Sequence, residues 1–318
     1  MLKQVTIIVT LLFLATPGLK SCQQPEKQTE TLKIKLPGVE LHAVKTTPAG
    51  TKKAPIAIFI AGSGPTDLDG NQPGMKNNSL KLLSDGLVEN GIATLRFDKR
   101  GIAKSAYADF KEDGLTIDQY ANDVQSIIRY LKENGHQSIY IIGHSEGSLI
   151  GLIALQHEKA DGFVSIAGAG NSADQILKTQ LKPKLPHEQF EMVAQFIDSL
   201  ANGNKVTSAP PELGMLFRAS VQPYLISWFR YNPAELIKKI DCKALVVQGE
   251  KDIQVSMDDA RLLANTTEKA TLVKMEGMNH VLKTIDGEMQ QNIQSYSNPD
   301  LPLHKGIVEK ITTFIKNN

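Results

Sequence analysis

Residues 138–157 read SIYIIGHSEGSLIGLIALQH, and this stretch decides the fold. The apolar run 138–142 predicts a buried β-strand, and residues 146–157 predict a helix. Between them stands Gly143–Gly147 (GHSEG), which matches the pattern G-x-S-x-G. Where that pattern joins a strand to a helix, it is typical of a serine nucleophile exposed at the tip of a sheet.

The chemistry of this turn makes Ser145 the candidate nucleophile. A serine hydroxyl is a weak nucleophile that needs a neighbouring base, so it must be exposed on a strained turn. Glycines at both ends of the motif remove Cβ atoms that would clash there. The following helix directs its N-terminus at a developing oxyanion. The alternative is an ordinary strand–helix turn whose serine only caps the helix.

A base and an orienting acid are expected later in the chain, in the order acid and then histidine. Asp252 follows the predicted strand 244–248, and His280 follows the predicted strand 271–275, so both lie past the carboxyl ends of strands. The other six histidines fall elsewhere, and the turn is expected to direct His144 away from the serine. Three other acids remain alternatives to Asp252, namely Glu250, Asp258 and Asp259.

The oxyanion formed during acyl transfer requires two backbone N–H donors. One is expected from Glu146, directly after the nucleophile. The other is expected from Ser63, in the turn 61–65 (AGSGP) that follows the apolar run 55–61. The Ser63 role needs only its peptide N–H. A further hypothesis is that the Glu146 side chain lies near the pocket and repels anionic substrates.

Strand-like and helix-like segments alternate from residue 32 onward, which predicts a mostly parallel sheet with helices on both faces. A hairpin of residues 32–36 and 39–45 opens this α/β fold. The alternation pauses over residues 171–232, which we interpret as an inserted helical cap. We therefore predict one catalytic domain over residues 32–318.

The N-terminal segment predicts export. Residues 1–21 combine Lys3 with a short apolar run and resemble a bacterial lipoprotein signal, whose cleavage before Cys22 would leave that cysteine to carry the lipid anchor. An ordinary secretory signal is the alternative. Residues 22–31 are polar and predict a flexible tether. We expect a membrane-anchored protein in the periplasm or on the cell surface.

The composition of the 318 residues narrows the function classes. The net charge is +1, and without residues 1–21 there are 33 basic against 34 acidic residues, so no nucleic-acid partner is expected. Of two cysteines, Cys242 is predicted to be a buried, unreactive thiol. Asp67, Asp69 and Asn71 share the opening spacing of a calcium loop, but Gln72 stands where the loop needs glycine and Asn78 where it needs the closing glutamate. Hydrogen bonds that shape the loop are therefore favoured over a metal. Residues 96–100 (RFDKR) are interpreted as an ion-paired scaffold.

Taken in order, these motifs resemble the α/β-hydrolase superfamily. The residues that carry the resemblance are 62–71 (GSGPTDLDGN), 96–101 (RFDKRG), the 143–147 turn, Asp252 and His280. They are most similar to exported bacterial esterases and the serine-aminopeptidase-like hydrolases grouped with them, although Ala61-Gly62 stands where His-Gly is usual.

The resemblance implies a carboxylesterase that acts on a small-molecule ester without a metal or an organic cofactor. The alternatives are a peptidase that releases N-terminal residues and a non-catalytic surface lipoprotein that uses the fold as a binding module. The residues do not predict an oligomeric state.

Overall fold

A computed structural model describes residues 27–51, 53–207 and 213–318. The strands are β1 (Gln28–Leu36), β2 (Val39–Thr47), β3 (Ile56–Ile60), β4 (Ala93–Phe97), β5 (Ile139–His144), β6 (Gly162–Ile166), β7 (Lys243–Gly249) and β8 (Ala270–Met275). The α-helices are α1 (Ser79–Glu89), α2 (Ile117–Glu133), α3 (Glu146–Ala154), α4 (Ala173–Leu181), α5 (His187–Ala201), α6 (Gly214–Phe217), α7 (Gln222–Phe229), α8 (Pro233–Ile237), α9 (Met257–Asn265), α10 (Met289–Ser295) and α11 (Ile307–Lys316).

The eight strands form one sheet in the order β1-β2-β4-β3-β5-β6-β7-β8. β1 is antiparallel to β2, and β2 is antiparallel to β4. The six strands β3 to β8 run parallel to one another. β3 to β6 are buried along their whole length, and their sequences are mainly apolar, as expected of central parallel strands. The helices α2, α3 and α9 cover one face and α1 and α11 the other, so the predicted α/β architecture is confirmed.

The helix starts follow the capping chemistry of the sequence in part. Thr116 caps α2 in a capping box, because its hydroxyl accepts from the backbone of Gln119 while the Gln119 side chain accepts from the backbone of Thr116. Ser256 caps α9 through the backbone N–H of Asp259. Apolar residues at helical spacing pack α2 against one face of the sheet.

The predicted tether of residues 22–31 is wrong at its C-terminal end. β1 begins at Gln28, and its first four residues pair with the end of β2, from Gln28 opposite Thr47 to Thr31 opposite Val44. These residues are polar and exposed because β1 is an edge strand, so they carry no apolar signal. Backbone pairing with the equally long β2 holds them in the sheet.

The helices α4 to α8 lie between β6 and β7, in the stretch that we interpret as an inserted cap. The helices α4, α5 and α7 enclose a separate apolar cluster formed by Ala173, Val193, Ile197, Leu200, Phe217, Leu225 and Phe229. At the start of the cap, the carboxylate of Asp259 accepts from the backbone of Gly170 and from the side chain of Asn171. These hydrogen bonds fix the first cap residues to α9, beside the site.

Two further predictions concern the N-terminal segment and Cys242. Residues 1–26, with the predicted signal and the lipid-bearing Cys22, lie outside the described residues, so export and anchoring stay predictions. Cys242 is half-buried rather than fully buried, and burial raises the pKa of its thiol to about 11, which keeps it protonated and unreactive near neutral pH. Within the described part of the chain, no helix has the length and apolar character to cross a membrane.

Candidate active site

The turn at residues 143–147 after β5 (the elbow) holds Ser145 in a strained conformation, with φ 54° and ψ −121°. A Cβ atom on Gly147 would collide with the carbonyl oxygen of Ile60, and one on Gly143 would collide with the backbone of Gly147. The two glycines of the motif are therefore required by close packing of α3 against β3 and β5. The turn places Ser145 at the carboxyl edge of the sheet.

The turn after β3 lies directly against the elbow. A Cβ built on Gly62 would be 3.3 Å from the Cβ of Ser145. The carbonyl of Ser63 accepts from the Thr66 hydroxyl at 2.7 Å and from the Gln72 amide at 3.1 Å, which fixes the orientation of this turn. Ser63 and Ser145 line the same cavities, so the predicted oxyanion donor lies beside the predicted nucleophile.

His280 and Asp252 are joined by a hydrogen bond. Nδ1 of His280 lies 2.8 Å from Oδ2 of Asp252, and both side chains are buried. The same carboxylate accepts from the side chain of Gln248 and from the backbone N–H groups of Gln254 and Val255. Burial acts to raise the pKa of Asp252, but the charge and hydrogen bonds of these partners outweigh it, and the pKa lies below its ordinary value.

The three alternative acids have other partners or other surroundings. Glu250 is exposed, Asp258 pairs with Arg261 at 2.6 Å on the surface, and Asp259 holds the start of the cap. Asp252 is thus the acid that the structure places against His280. Both follow the carboxyl ends of neighbouring parallel strands, β7 and β8, which explains how residues 28 positions apart meet.

The side chain of His144, which the turn is expected to direct away from the serine, contacts His280. Nε2 of His144 donates to the backbone carbonyl of His280 at 2.8 Å, and the two rings lie 4.8 Å apart. Burial, followed by repulsion from His280, lowers the pKa of His144 to about 4. His144 is therefore neutral near pH 7, and it positions the His280 loop through a donated hydrogen bond. No spacing rule signals this role, because it depends on the direction of one side chain.

A buried ion pair lies beneath the turn 61–65, which carries the predicted oxyanion donor Ser63. Nζ of Lys99 donates to the carbonyl of Gly62 at 2.6 Å and to Oε1 of Glu146 at 3.2 Å, and both charged side chains are 2% exposed. The Lys99 charge also lies 4.9 Å from the centre of the Tyr120 ring. The Glu146 carboxylate is thus neutralised, which argues against the idea that it repels anionic substrates. The sequence did not indicate that Lys99 reaches this turn.

Neighbouring charges form the scaffold that the 96–100 segment predicts. Arg96 pairs with Asp69, and Arg100 binds Asp123 with two hydrogen bonds. In the loop after β3, one oxygen of Asp67 accepts from two backbone N–H groups, at Asp69 and Asn71. These contacts account for the acidic residues of the loop as groups that shape it. Across the described ranges, no cluster of histidine, cysteine and acidic side chains is arranged to hold a metal ion.

Three cavities surround the elbow. The apolar cavity, about 280 Å³, lies under the cap and is lined by Ser63, Ser145, Leu149, Ile176, Leu177 and Trp228, among others. The polar pocket, about 70 Å³, is lined by Ser145, His280, Thr66, Gln72, Gln254 and Tyr296, among others. The rear cavity, about 430 Å³, is lined by Ser63, Glu146, Phe110, Leu115, Tyr224 and Trp228, among others. Only the polar pocket of these three includes His280 in its lining.

The fold is that of the α/β hydrolases. Residues 75–223, which include the elbow but not Asp252 or His280, match the family model described as serine aminopeptidase, S33. The chain is 25% identical over 280 residues to esterase EstD of Thermotoga maritima, an alignment that covers 83% of this chain and 61% of EstD. It is 22% identical to the bifunctional esterase/perhydrolase DCH of Acinetobacter calcoaceticus, over 63% of this chain and 79% of DCH.

Solved structures support the same fold. The α/β hydrolase GrgF from Penicillium superposes with a TM-score of 0.60 at 20% identity, covering 92% of this chain and 98% of GrgF. Est1E from Butyrivibrio proteoclasticus, solved with ferulic acid, gives a TM-score of 0.54 at 18% identity, covering 90% and 96% of the two chains. The sequence-based prediction of an α/β-hydrolase fold is confirmed.

Proposed function

We propose that the protein is a serine hydrolase that cleaves carboxylic esters through an acyl-enzyme on Ser145. One observation carries this proposal: a strained serine and a histidine bound to a buried carboxylate line one pocket, next to an apolar cavity. The similarity to EstD and DCH, both described as esterases, supports the ester over other bonds. This chain spans only 61% of the length of EstD, so we argue the proposed activity from the geometry of the site and not from EstD.

In the proposed mechanism, acyl transfer begins with attack by Ser145. Oγ of Ser145 attacks the ester carbonyl carbon, and Nε2 of His280 takes the hydroxyl proton. The Nδ1–H of His280 donates to Asp252, which fixes the tautomer and stabilises the imidazolium. The oxyanion accepts from the backbone N–H groups of Ser63 and Glu146. Glu146 begins α3, so its N–H has no acceptor within the helix.

The second half of the cycle repeats these steps with water. When the C–O bond breaks, His280 gives its proton to the leaving oxygen, and the alcohol departs. Water then attacks the acyl carbon, and His280 takes its proton. The second intermediate collapses to release the acid, and the proton returns to Ser145. Every proton passes through His280, so the alcohol and the water must both reach its side of the site.

A peptidase is the second candidate, because the family model is named for serine aminopeptidases. Such an enzyme binds a cationic α-amine, for which an unpaired carboxylate is the natural partner. Among the described residues that line the three cavities, the carboxylates are Glu146 and Glu112. Glu146 pairs with Lys99, and Glu112 pairs with Arg218, so both are neutralised. This charge arrangement favours a neutral ester.

The two functions are separated by assaying p-nitrophenyl esters beside aminoacyl-p-nitroanilides with the purified protein. We expect turnover of the esters and at most trace turnover of the anilides. The reverse order of the two specificity constants would favour the peptidase. Absence of turnover of both substrate classes would contradict the proposed function.

Lys99 is predicted to strengthen the oxyanion hole from behind. Its ammonium group donates to the carbonyl of Gly62, which belongs to the same peptide group as the N–H of Ser63. Such donation polarises the peptide, strengthens its N–H as a donor and fixes its direction. We expect Lys99→Met to lower kcat about tenfold to a hundredfold with little change in KM, measured by steady-state kinetics.

The controls separate this effect from damage to the fold. Lys99→Met leaves the Glu146 carboxylate buried without its cation, so the double variant Lys99→Met/Glu146→Gln removes that charge as well. We expect the double variant to fold and to keep the loss in kcat. Glu146→Gln alone keeps the Lys99–Gly62 bond and is expected to stay within about threefold of wild type. Equal losses in both single variants would contradict the assignment.

Trp228 is predicted to limit the length of the acyl group. It lines both the apolar cavity and the rear cavity, so it forms part of the wall between them. We expect Trp228→Ala to join the two spaces and to raise the preference for dodecanoyl over butanoyl p-nitrophenyl esters by about tenfold or more. Trp228→Phe is expected to give a smaller shift. An unchanged chain-length profile in a folded Trp228→Ala variant would contradict this role.

A further inference from the structure

An exposed apolar groove lies outside the polar pocket. This outer groove, about 400 Å³, is lined by Met75, Gln180, Lys184, Ile253, Gln254, Ile293, Tyr296 and Ser297. Six large hydrophobic side chains are exposed in the described part of the chain, and three of them line this groove. They are Met75, Ile253 and Ile293, at 39%, 40% and 57% exposure. Such a concentration of exposed apolar side chains marks a binding surface.

The outer groove is continuous with the site. Met75, Gln254 and Tyr296 line both the outer groove and the polar pocket, which also contains Ser145 and His280. The side-chain amide of Gln254 donates to the Tyr296 hydroxyl at 3.3 Å, so the connecting neck is ordered. A molecule that extends from Ser145 past His280 therefore passes a short polar neck and reaches an apolar surface.

The chemistry of the leaving group assigns a direction to this path. His280 must protonate the leaving oxygen, so the alcohol part of the ester lies on the His280 side, in the polar pocket. The acyl part then occupies the apolar cavity, which has Ser145 but not His280 in its lining. Gln180 and Gln254 line both the outer groove and the apolar cavity, so the groove also borders the acyl side. Met75 and Tyr296 line the groove and the polar pocket but not the apolar cavity. Through these two residues the groove opens from the His280 side, so it can continue the path of the alcohol part.

We propose that the outer groove binds an apolar tail on the alcohol part of the ester, so that the substrates are esters of long-chain or similarly apolar alcohols. This inference rests on the proposed function. The ester oxygen lies beside His280, the first carbons of the alcohol cross the polar neck, and the tail covers Met75, Ile253 and Ile293. Hydrolysis releases the tailed alcohol outward, along the groove that held it.

The test varies the alcohol at a constant acyl group. Ethyl, butyl, hexyl and octyl butyrate are each supplied below their solubility limits, and acid release is followed by pH-stat. Each methylene removed from water is worth roughly twofold to fourfold in binding. We expect kcat/KM of the wild type to rise at least tenfold from ethyl to octyl butyrate.

Two variants test the assignment to this surface. Ile293→Ser and Ile253→Ser are expected to flatten the rise with alcohol length and to leave ethyl butyrate turnover within twofold of wild type. The matched control is Leu262→Ser, which removes a leucine of 40% exposure that does not line the groove. Leu262→Ser is expected to keep the wild-type series.

The outcomes separate this inference from the proposed function. A flat alcohol series in a wild type that hydrolyses ethyl butyrate would overturn the groove assignment and leave the esterase function standing. A steep series unchanged in Ile293→Ser and Ile253→Ser would also overturn it. If these variants lose activity only on aggregated esters, the groove contacts a lipid surface, and the assignment is wrong. Absence of turnover of every ester would overturn both proposals.

Discussion

Ser145→Ala is expected to lower kcat for ester hydrolysis by about a millionfold. The variant removes the atom that attacks the carbonyl, and the rate that remains, roughly 10³- to 10⁴-fold above that in water, comes from the oxyanion donors and substrate binding. Alanine meets the same backbone strain at φ 54° as serine does, so the melting temperature should change by only a few degrees. The measurement is initial-rate kinetics at high enzyme concentration beside thermal unfolding.

Ser148→Ala is the matched control for this variant. Ser148 lies one turn further along α3, is buried and shares a hydrogen bond with Ser165 at 2.8 Å. Its loss removes a hydroxyl from the same helix without touching the proposed chemistry. We expect Ser148→Ala to stay within about tenfold of the wild-type kcat. A Ser145→Ala variant that retained even one per cent of wild-type activity would exclude an acyl-enzyme at this position.

Asp252→Asn is expected to lower kcat by about ten-thousandfold. The amide oxygen of asparagine would accept the backbone N–H groups of Gln254 and Val255, as the carboxylate does now. Its NH₂ group would then face Nδ1 of His280, which forces the proton onto Nε2. In that tautomer His280 cannot accept the proton of Ser145. The measurement is kcat at pH 7 to 8 with an ester of good solubility.

Stability provides a second readout for the same variant. The pKa of Asp252 is lower in the folded state than in an unfolded chain, so its ionised form stabilises the fold above the ordinary carboxyl pKa range. That contribution is lost as the pH falls through this range, below about pH 4. We expect the free energy of unfolding of the wild type to fall more steeply there than that of Asp252→Asn.

Asp258→Asn is the control for Asp252→Asn, because Asp258 is an exposed acid six residues further along the chain. We expect its kcat to remain within about twofold of wild type. If Asp258→Asn or Asp259→Asn caused the larger loss, the acid of the site would have been assigned to the wrong residue.

The sequence alone predicted the alternation of strands and helices and the residues that gather at the sheet edge. This was possible because those signals are local: an apolar run, a glycine-flanked serine, and an acid and a histidine just past two later strands. Parallel strands bring such positions to one edge whatever their separation in sequence. Asp252 and His280 therefore meet, as their positions predict.

The contacts that depend on side-chain direction or on register were not predictable. His144 contacts His280 because of its orientation at the end of β5, which no pattern encodes. Lys99 reaches Gly62 because β3 and β4 pair with Phe59 opposite Arg96, a register that carries Lys99 to the level of Gly62. Sequence could have suggested Lys99 as a buried cation only if the pairing had been known.

The outer groove was also missed, for a different reason. Its apolar residues come from three separate segments, and the helix that carries Ile293, α10, is short and polar in sequence. Such a surface becomes visible only when the loop after β3, the Asp252 loop and α10 are folded together. Exposed isoleucine and methionine are common singly, and their meaning here comes from their position beside His280.

Labelling with a fluorophosphonate, followed by peptide mass spectrometry, tests the central claim most directly. The reagent phosphonylates a serine that an adjacent histidine has activated, and it needs no knowledge of the natural ester. The account predicts one adduct per chain, on the peptide that carries Ser145, absent in Ser145→Ala and slowed in Asp252→Asn. An adduct on a different residue, or ester hydrolysis by a chain that takes up no label, would contradict it.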